Sequence, residues 1–399
     1  MEKDFVKEVA EESISGSILT TEMLNKLVQF SEENDYSTAI WRLPNSSTTH
    51  HIVDTGGFMP VKEINLEELK KGFIFCPYDQ GEKAFIRGDI HFSTSKNKVD
   101  FSDALDRTII EKFQKSNSEV KHMRSEGPKV ADTSEADFIQ LVKRSISQIK
   151  EGRFQKVVPS KIKKVDIPSD FDIVENFQIL TKAYPRAFVF YVSIPTIGCW
   201  MGATPETLIE IENGSLFRTV SLAGTQKYLD EMIPSDIAWT QKEIEEQAMV
   251  SRYIINCFKK IRLREFTEHG PKTVIAANLI HLKTVFEVDL KETGFYNLGT
   301  VMLNLLHPTS AVCGMPKENA SSFLKTNEVH QRKYYSGFLG PVNNNDDTHL
   351  YVNLRCMEIF KHHAILYAGS GITEDSNPEK EWMETEMKCN TLLNVIKTT

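Results

Sequence analysis

The spacing of apolar side chains predicts a first segment that mixes helices and short strands. Residues 21–34 carry apolar positions at the spacing of a helix with one buried face. The β-rich runs AIWRLP, FIFCP and AFIRGDIHF follow, separated by Gly, Pro and Asn clusters. A second helix is predicted over residues 103–114. Residues 115–133 are polar and almost unpatterned, which predicts a connection between two parts of the chain.

After this connection the signals for single elements are sharper. Ser134 opens an S-x-x-D sequence typical of a helix N-terminus, and Gly152 is placed to end that helix. The strand-like runs RFQKVVPSKIKKVDI and AFVFYVSI come next. TLIEIE and LFRTVSL are then joined by Asn213 and Gly214, a strong signal for a β-hairpin. A long helix is predicted over residues 236–262.

The end of the chain predicts one more antiparallel pair and a final helix. The runs HLYVNLRCMEIF and HAILYAGSGI form the pair, and the helix has Asn377 as its N-cap and Pro378 at its first position. Hairpins mixed with helices, without a regular β-α-β alternation, predict an α+β fold and argue against a Rossmann sheet. Neither of the two common glycine-rich phosphate-binding motifs occurs, so nothing indicates nucleotide binding.

Composition places the chain among soluble globular proteins. Its 399 residues are 40% hydrophobic and 26% charged, which excludes a disordered or fibrous chain. A formal net charge of −8 argues against a nucleic-acid coat protein, although a local basic pocket can still bind an anion. No apolar run approaches the roughly 20 residues that span a bilayer, so no membrane association is expected.

The termini and cysteines indicate a cytoplasmic location. The sequence MEKDFVKEVAEES lacks the apolar core of a signal peptide. Six cysteines are widely spaced without a CxxC, so we expect neither a disulfide framework nor a zinc site.

Two helices carry carboxylates at a spacing suited to a metal ion. Glu243 and Glu246 are three positions apart, so both side chains lie on one side of a helix. Glu381 and Glu384 repeat this spacing, and Lys388 follows one turn later. Four facing carboxylates would be hard oxygen ligands for Mg²⁺, with Lys388 available for an anionic substrate. Spacing alone leaves the alternative of solvated acidic side chains open.

Six other positions are candidates for chemistry, each with an ordinary structural alternative. Lys156 lies in a β-rich run and Glu206 follows a turn-like G-A-T-P, yet exposed Lys and Glu are common in such places. Glycines 369 and 371 follow an apolar strand, where backbone N–H groups can approach an anion. Arg355 is unusual in a strand of this apolarity unless it binds a carboxylate. His281 fits a core histidine equally well.

Nine blocks, taken together and in order, resemble the chorismate-utilising enzymes and most closely the isochorismate synthases among them. The blocks are FQKVVPSK (154–161), GATPETLI (202–209), SLAGT (221–225), KEIEEQ (242–247), IHLKT (280–284), LLHPTSAVCGMPK (305–317), LRC (354–356), YAGSGI (367–372) and PEKEWMETEMK (378–388). The resemblance implies a large α/β sandwich of antiparallel-rich sheets with helices packed outside. It divides the chain into a variable N-terminal half, residues 1–133, and a chorismate-binding catalytic region, residues 134–399.

The resemblance also implies a reaction and its residues. Water adds to carbon 2 of the chorismate ring as the hydroxyl at carbon 4 leaves, with Lys156 as general base and Glu206 as general acid. Burial suits both roles, because it lowers the pKa of an amine and raises that of a carboxyl. The implied ligands of a Mg²⁺ cofactor are Glu243, Glu246, Glu381 and Glu384. The implied substrate-binding residues are Ala223, Thr225, His281, Arg355, Gly369, Gly371 and Lys388.

Three alternatives to isochorismate formation follow from the same comparison. A salicylate synthase keeps the lysine at position 156 and goes on to eliminate pyruvate. Ammonia-adding synthases carry glutamine where this chain has Lys156, and aminodeoxychorismate synthases have a nucleophilic lysine where it has Ala223, so no amidotransferase partner is expected. A non-catalytic metabolite-binding protein would be expected to have lost one of the catalytic residues. The product can feed either menaquinone or siderophore biosynthesis. Pro159, a departure from the family pattern, predicts a bulge or sheet edge just after Lys156.

Overall fold

A computed structural model describes residues 20–79, 81–116, 124–227, 236–276 and 279–396. Nine helices occur in these ranges. They are α1 (20–33), α2 (Arg107–Lys115), α3 (Glu135–Lys150), α4 (Ile173–Ala183), α5 (Gln241–Lys260), α6 (Leu290–Thr293), α7 (Leu298–Leu306), α8 (Lys317–Asn327) and α9 (Pro378–Leu393).

Twenty strands occur in the same ranges. They are β1 (Ser37–Arg42), β2 (Thr49–Asp54), β3 (Met59–Pro60), β4 (Gly72–Cys76), β5 (Ala84–Arg87), β6 (Ile90–Ser93), β7 (Lys98–Phe101), β8 (Lys156–Val157), β9 (Ser160–Asp166), β10 (Phe188–Ile194), β11 (Gly198–Thr204), β12 (Thr207–Glu212), β13 (Leu216–Lys227), β14 (Thr267–Ala276), β15 (Leu279–Asp289), β16 (Gly314–Met315), β17 (Phe338–Val342), β18 (Thr348–Val352), β19 (Cys356–Ile359) and β20 (His363–Gly369).

The strands form two nine-stranded antiparallel sheets and one small pair. Sheet A has the order β7-β6-β2-β1-β10-β11-β19-β20-β9, and sheet B has the order β14-β15-β13-β12-β18-β17-β4-β5-β3. The short strands β8 and β16 pair separately. Strands from before and after residue 133 are neighbours in both sheets, as in the pairs β1–β10 and β4–β17. The division of the chain at residue 133 stays a prediction.

Alternating side chains along the strands build three apolar layers. On β10, Phe188 and Phe190 belong to a cluster that includes residues of both sheets, so they pack between them. Val189 and Tyr191 on the other face of β10 pack with the helices α1, α2, α4 and α9. The outer face of sheet B packs in the same way with α3, α5, α7 and α8. The predicted α+β sandwich with outside helices is therefore confirmed, and it matches no Rossmann arrangement.

Local signals predicted several element boundaries correctly. The Ser134 hydroxyl accepts from the backbone N–H of Asp137 at 3.1 Å and caps α3. Asn213 and Gly214 have φ of 50° and 57° in the turn of the β12–β13 hairpin. Helix α9 has its N-cap at Asn377.

Two of the β-rich runs in the sequence are each two strands in different sheets. AFIRGDIHF is β5 of sheet B followed by β6 of sheet A, and HLYVNLRCMEIF is β18 of sheet B followed by β19 of sheet A. The second run breaks at residues 353–355, where Arg355 has a φ of +47°. Such a left-handed residue turns the chain out of one sheet. Both sheets bury apolar strands, so apolarity alone did not reveal either crossing.

Two helices begin later than predicted, because side chains within the predicted segments act as caps. Helix α2 begins at Arg107 after Asp106, whose carboxylate accepts from the N–H of Thr108 at 2.9 Å. Helix α5 begins at Gln241 after Thr240. The run around Lys156 also divides, into β8 and β9, with Pro159 in the gap as its lack of an N–H donor predicts. No helix in the described ranges combines the length and apolarity that crossing a bilayer requires.

Candidate active site

Ten of the predicted site residues line one buried cavity. These are Lys156, Glu206, Ala223, Glu246, His281, Arg355, Gly369, Gly371, Glu384 and Lys388. Two others, Glu243 and Glu381, do not line it. The side chain of Thr225 lies outside the described part of the structure. Residues that are distant in sequence therefore meet at one place.

Lys156 is held at the cavity by short β-pairing on two sides. Its strand β8 pairs with β16, and Val157 exchanges backbone hydrogen bonds with Ile372. The lysine side chain is only 2% exposed, and its Nζ lies 2.8 Å from Oε1 of Glu246. A Cβ at position 371 would lie 2.7 Å from that oxygen and 3.0 Å from Cε of Lys156. Gly371 therefore lets backbone, amine and carboxylate approach closely.

Glu206 lies between β11 and β12, where Pro205 ends the first strand. Its backbone carbonyl accepts from Val352 at 2.9 Å, which fixes the carboxyl at the cavity wall. Burial raises the pKa of Glu206 from 4.5 to about 7, although three nearby cations oppose this rise. A carboxyl with this pKa is protonated in a large fraction of molecules at neutral pH and can give its proton away, which is what a general acid needs.

Arg355 and Lys388 bring positive charge to the same cavity. Arg355 is buried, with Nη1 3.3 Å from the hydroxyl of Thr391, and burial lowers the pKa of its guanidinium. Lys388 donates from Nζ to the carbonyl of Gly369 at 2.8 Å and lies 2.7 Å from Glu384. Two cations beside glycine backbone can bind an anionic group of a substrate.

His281 is neutral and oriented by the backbone. Its Nδ1 lies 2.7 Å from the carbonyl oxygen of Gly224, so the Nδ1–H tautomer donates there. Burial, assisted by Arg355, lowers the pKa of His281 to about 3. The ring can therefore act as a hydrogen-bonding group at the cavity, and it carries no charge at neutral pH.

Each of the four predicted metal ligands already has a partner. Glu246 contacts Lys156, Glu384 contacts Lys388, and Glu381 contacts Lys242 at 2.6 Å. Glu243 turns back over its own helix N-terminus and accepts from the N–H of Thr240 at 2.8 Å, in a capping box. The helical spacing placed Glu243 and Glu246 on one side, but Glu243 accepts from the backbone N–H and the hydroxyl of the N-cap Thr240 and from the side-chain amide of Gln226.

The donor set has the chemistry of a Mg²⁺ site but is engaged by ammonium groups. Carboxylate oxygens are the ligands that Mg²⁺ prefers, and three of these four glutamates lie at or beside the cavity. Across the described ranges, no group of three or more His, Cys, Asp or Glu side chains is arranged to hold a metal ion. Lysines take the positions that a cation would need, so metal binding requires these pairs to open.

A buried ion pair behind the cavity connects two of its walls. Arg332 and Glu328 lie 2.6 Å apart and are 4% and 5% exposed. Arg332 also donates to the carbonyl of Val158 at 2.6 Å and to that of Val312 at 2.7 Å. Glu328 accepts from the backbone N–H of Ser160 at 2.7 Å. The pair therefore joins the chain segment of Lys156 to the loop before β16.

Sequence reasoning missed several residues of the site. Tyr335 and Tyr367 line the cavity and stack with ring centroids 5.4 Å apart. Nothing in the sequence around these two tyrosines distinguished them from aromatic residues of the core. Lys242 was also missed, although its position one turn before Glu246 on α5 was a usable signal.

Comparison with known proteins identifies relatives of this chain. Residues 65–397 match the family model described as chorismate binding enzyme. The isochorismate synthase EntC of Escherichia coli strain K12 is 28% identical over 265 residues, which are 65% of this chain and 66% of that protein. The aligned part thus spans slightly less than two thirds of this relative.

Two solved structures share the fold. The menaquinone-specific isochorismate synthase MenF from Escherichia coli covers 93% of this chain and 91% of its own, with a TM-score of 0.73 and 19% identity. A putative 2,3-dihydroxybenzoate-specific isochorismate synthase, DhbC from Bacillus anthracis, covers 93% of this chain and 99% of its own, with a TM-score of 0.69 and 22% identity.

Proposed function

Because the chain belongs to the family of chorismate-binding enzymes, we propose that it is an isochorismate synthase. One observation carries this proposal: Lys156 and Glu206, an amine and a carboxyl that is protonated near neutral pH, line the same buried cavity. An addition of water with loss of a hydroxyl needs a base and an acid of this kind at one substrate.

In the proposed reaction one hydroxyl enters the ring from water and another leaves as water, so no oxidant is needed. Lys156 takes a proton from water as the water oxygen bonds to carbon 2 of the ring. Both ring double bonds shift by one position toward carbon 4, the bond from carbon 4 to its oxygen breaks, and Glu206 gives its proton to the leaving hydroxyl. Water is released and the two side chains exchange their protonation states, so returning one proton restores the enzyme.

The contact between Lys156 and Glu246 has to change during this cycle. An amine that accepts a proton must first be neutral, and a neutral amine loses the charge attraction that holds it 2.8 Å from an ionised carboxylate. Although burial favours the neutral acid, Lys156 lowers the pKa of Glu246, so this carboxylate is charged at neutral pH. We propose that substrate binding separates the two groups.

We propose that chorismate is bound through its two carboxylates. Arg355, Lys388 and the backbone N–H groups near Gly369 and Gly371 would bind the enolpyruvyl carboxylate. Mg²⁺ held by Glu246, Glu381 and Glu384, with Glu243 after release from its cap, would bind the ring carboxylate. When bound, the metal would neutralise that carboxylate and fix the ring between acid and base.

The test is to incubate the purified protein with chorismate and Mg²⁺ and to separate the products by chromatography. We expect isochorismate as the only product, and its loss when EDTA is added. Salicylate with pyruvate would instead identify a salicylate synthase. An amino product from added ammonia would identify an anthranilate-type component, and no turnover would leave only a binding role.

The cysteines and Lys156 indicate the cellular location and the partners that we propose. All six cysteines are unpaired, which suits a reducing cytoplasm. With Lys156 in place of the glutamine of ammonia-adding enzymes, we propose that water is the nucleophile and that no amidotransferase partner is needed.

A further inference from the structure

Within the described part of the chain, Lys242 is the one lysine bound to a proposed metal ligand that the proposed reaction does not use. Three lysines pair one to one with three glutamates: Lys156 with Glu246, Lys388 with Glu384, and Lys242 with Glu381. The first two lysines act on the substrate in the proposal above. Lys242 does not line the substrate cavity among the described residues, so its pairing calls for another explanation.

Glu381 depends on Lys242 for its charge balance. Its side chain is 2% exposed, one oxygen lies 2.6 Å from Nζ of Lys242, and the other accepts from the hydroxyl of Ser370. A buried carboxylate that loses its only cation is strongly destabilising. The pair is thus a stable arrangement of the protein without metal.

The side chain of Lys242 also has room to move away from Glu381 toward the protein surface. Its side chain is 34% exposed, whereas that of Glu381 is almost fully enclosed. The same lysine borders a surface cleft whose lining includes Glu245, Glu374 and Asp375. A long, flexible ammonium side chain can therefore move from Glu381 to other carboxylates at the surface, while Glu381 stays in place.

We propose that Lys242 is a displaceable counter-ion of the metal site, which holds Glu381 in the metal-free protein and competes with Mg²⁺ for it. Exchange of the ammonium for Mg²⁺ raises the charge of the site by one unit, which favours a dianionic substrate. This inference rests on the proposed function for the identity of the metal, and it deepens that function by naming what sets the affinity for the metal.

The experiment is a calorimetric titration of Mg²⁺ into the wild-type protein and into Lys242→Met. We expect the variant to bind Mg²⁺ about 5- to 150-fold more tightly, the usual range for a coupling between two sites. Lys242→Arg keeps the charge and should retain weak binding. Lys260→Met removes an exposed lysine from the same helix and should leave the affinity unchanged. Equal or weaker binding in Lys242→Met, or no binding in either protein, would overturn the proposal.

A second measurement uses the wild-type protein alone and so does not depend on the variant folding. Acetylation of lysine side chains by acetic anhydride, followed by mass spectrometry, reports the accessibility of each amine. Labelling of Lys242 should rise with added Mg²⁺, whereas that of Lys260 should not. A constant labelling of Lys242 across a saturating Mg²⁺ titration contradicts displacement.

The outcomes separate this proposal from the proposed function. Mg²⁺-dependent turnover of chorismate with an unchanged Mg²⁺ affinity in Lys242→Met would reject the counter-ion and keep the enzyme. Tighter Mg²⁺ binding in the variant without any turnover would keep the counter-ion and reject the reaction.

Discussion

Nζ of Lys156 lies 2.8 Å from Oε1 of Glu246, a residue 90 positions further along the chain. The lysine is 2% exposed and the glutamate 18%. The proposed base and one proposed metal ligand are thus in direct contact before any ligand binds. In the proposed mechanism metal binding and base activation are therefore linked, since whatever binds Glu246 also changes the surroundings of Lys156.

Lys156→Ala should abolish water addition and leave chorismate binding measurable. Loss of a general base typically lowers the rate by about 10²- to 10⁴-fold. The rate is measured by chromatography of the products, and binding by calorimetry. Lys143→Ala, at an exposed position of α3, is the matched control and should keep full activity. Full activity in Lys156→Ala would remove this lysine as the base.

The activity should fall above about pH 7, because a general acid works only when protonated. Burial raises the pKa of Glu206 to about 7, so the carboxyl loses its proton as the pH rises through this value. Glu206→Gln should lower kcat by about 10²- to 10⁴-fold and remove this limb of the pH profile. A profile of kcat/KM for the wild type that is flat from pH 6 to pH 9 argues against Glu206 as the acid.

The same shift predicts a dependence of stability on pH. The folded protein holds the Glu206 proton up to about pH 7, whereas the unfolded chain releases it near pH 4.5. The folded state therefore binds more protons within this window, and the Glu206 contribution to the free energy of unfolding falls as the pH rises from 4.5 to 7. Denaturant unfolding of wild type and Glu206→Gln across these pH values measures the difference, which should vanish if the carboxyl is not buried.

Arg355→Ala should mainly raise KM for chorismate. A hydrogen bond to a charged group contributes about 1.5–3 kcal/mol, so an increase of about ten- to a hundredfold is expected. Steady-state kinetics separates KM from kcat. Arg252→Ala, at an exposed position of α5, serves as the control. An unchanged KM in Arg355→Ala would mean that the substrate anion binds elsewhere.

Glu384→Gln should sharply raise the Mg²⁺ concentration needed for half-maximal activity, because an amide oxygen carries no charge for a hard cation. A Mg²⁺ titration of initial rates measures this concentration. Glu379→Gln changes an exposed glutamate in the first turn of the same helix and should have no effect. Glu384 is not a metal ligand if Glu384→Gln and Glu379→Gln need the same Mg²⁺ concentration for half-maximal activity.

Arg332→Met should destabilise the protein by about 3–5 kcal/mol, because it leaves Glu328 buried and unpaired. It should also lower kcat, since Arg332 joins the segment of Lys156 to the loop before β16. Denaturant unfolding and steady-state kinetics at a temperature where the variant is folded measure the two effects. Arg144→Met, at an exposed position of α3, is the control. A large loss of stability with unchanged kcat would show that the pair has only a structural role.

Features that depend on near neighbours along the chain follow from the amino-acid sequence alone. Ser134 caps α3 and Asn377 caps α9, because a side-chain oxygen satisfies N–H groups within three residues. The hairpin at Asn213 follows from a local preference for positive φ. Ten of the residues that the family resemblance named line one cavity, since a family pattern carries long-range information that a single periodicity lacks.

Which charged groups form pairs depends on contacts between distant segments of the chain, and so on the tertiary structure. Glu246 and Glu381 pair with lysines 90 and 139 positions away, and no spacing within a helix predicts partners at such distances. Glu243 and Glu246 have the same helical signal, yet the first binds its own helix N-terminus and the second faces the cavity. The sheet crossings after β5 and β18 were also hidden, because both sheets bury apolar strands equally well. Local hydrogen bonding fixes where elements begin, whereas electrostatic pairing and sheet membership depend on contacts between distant segments.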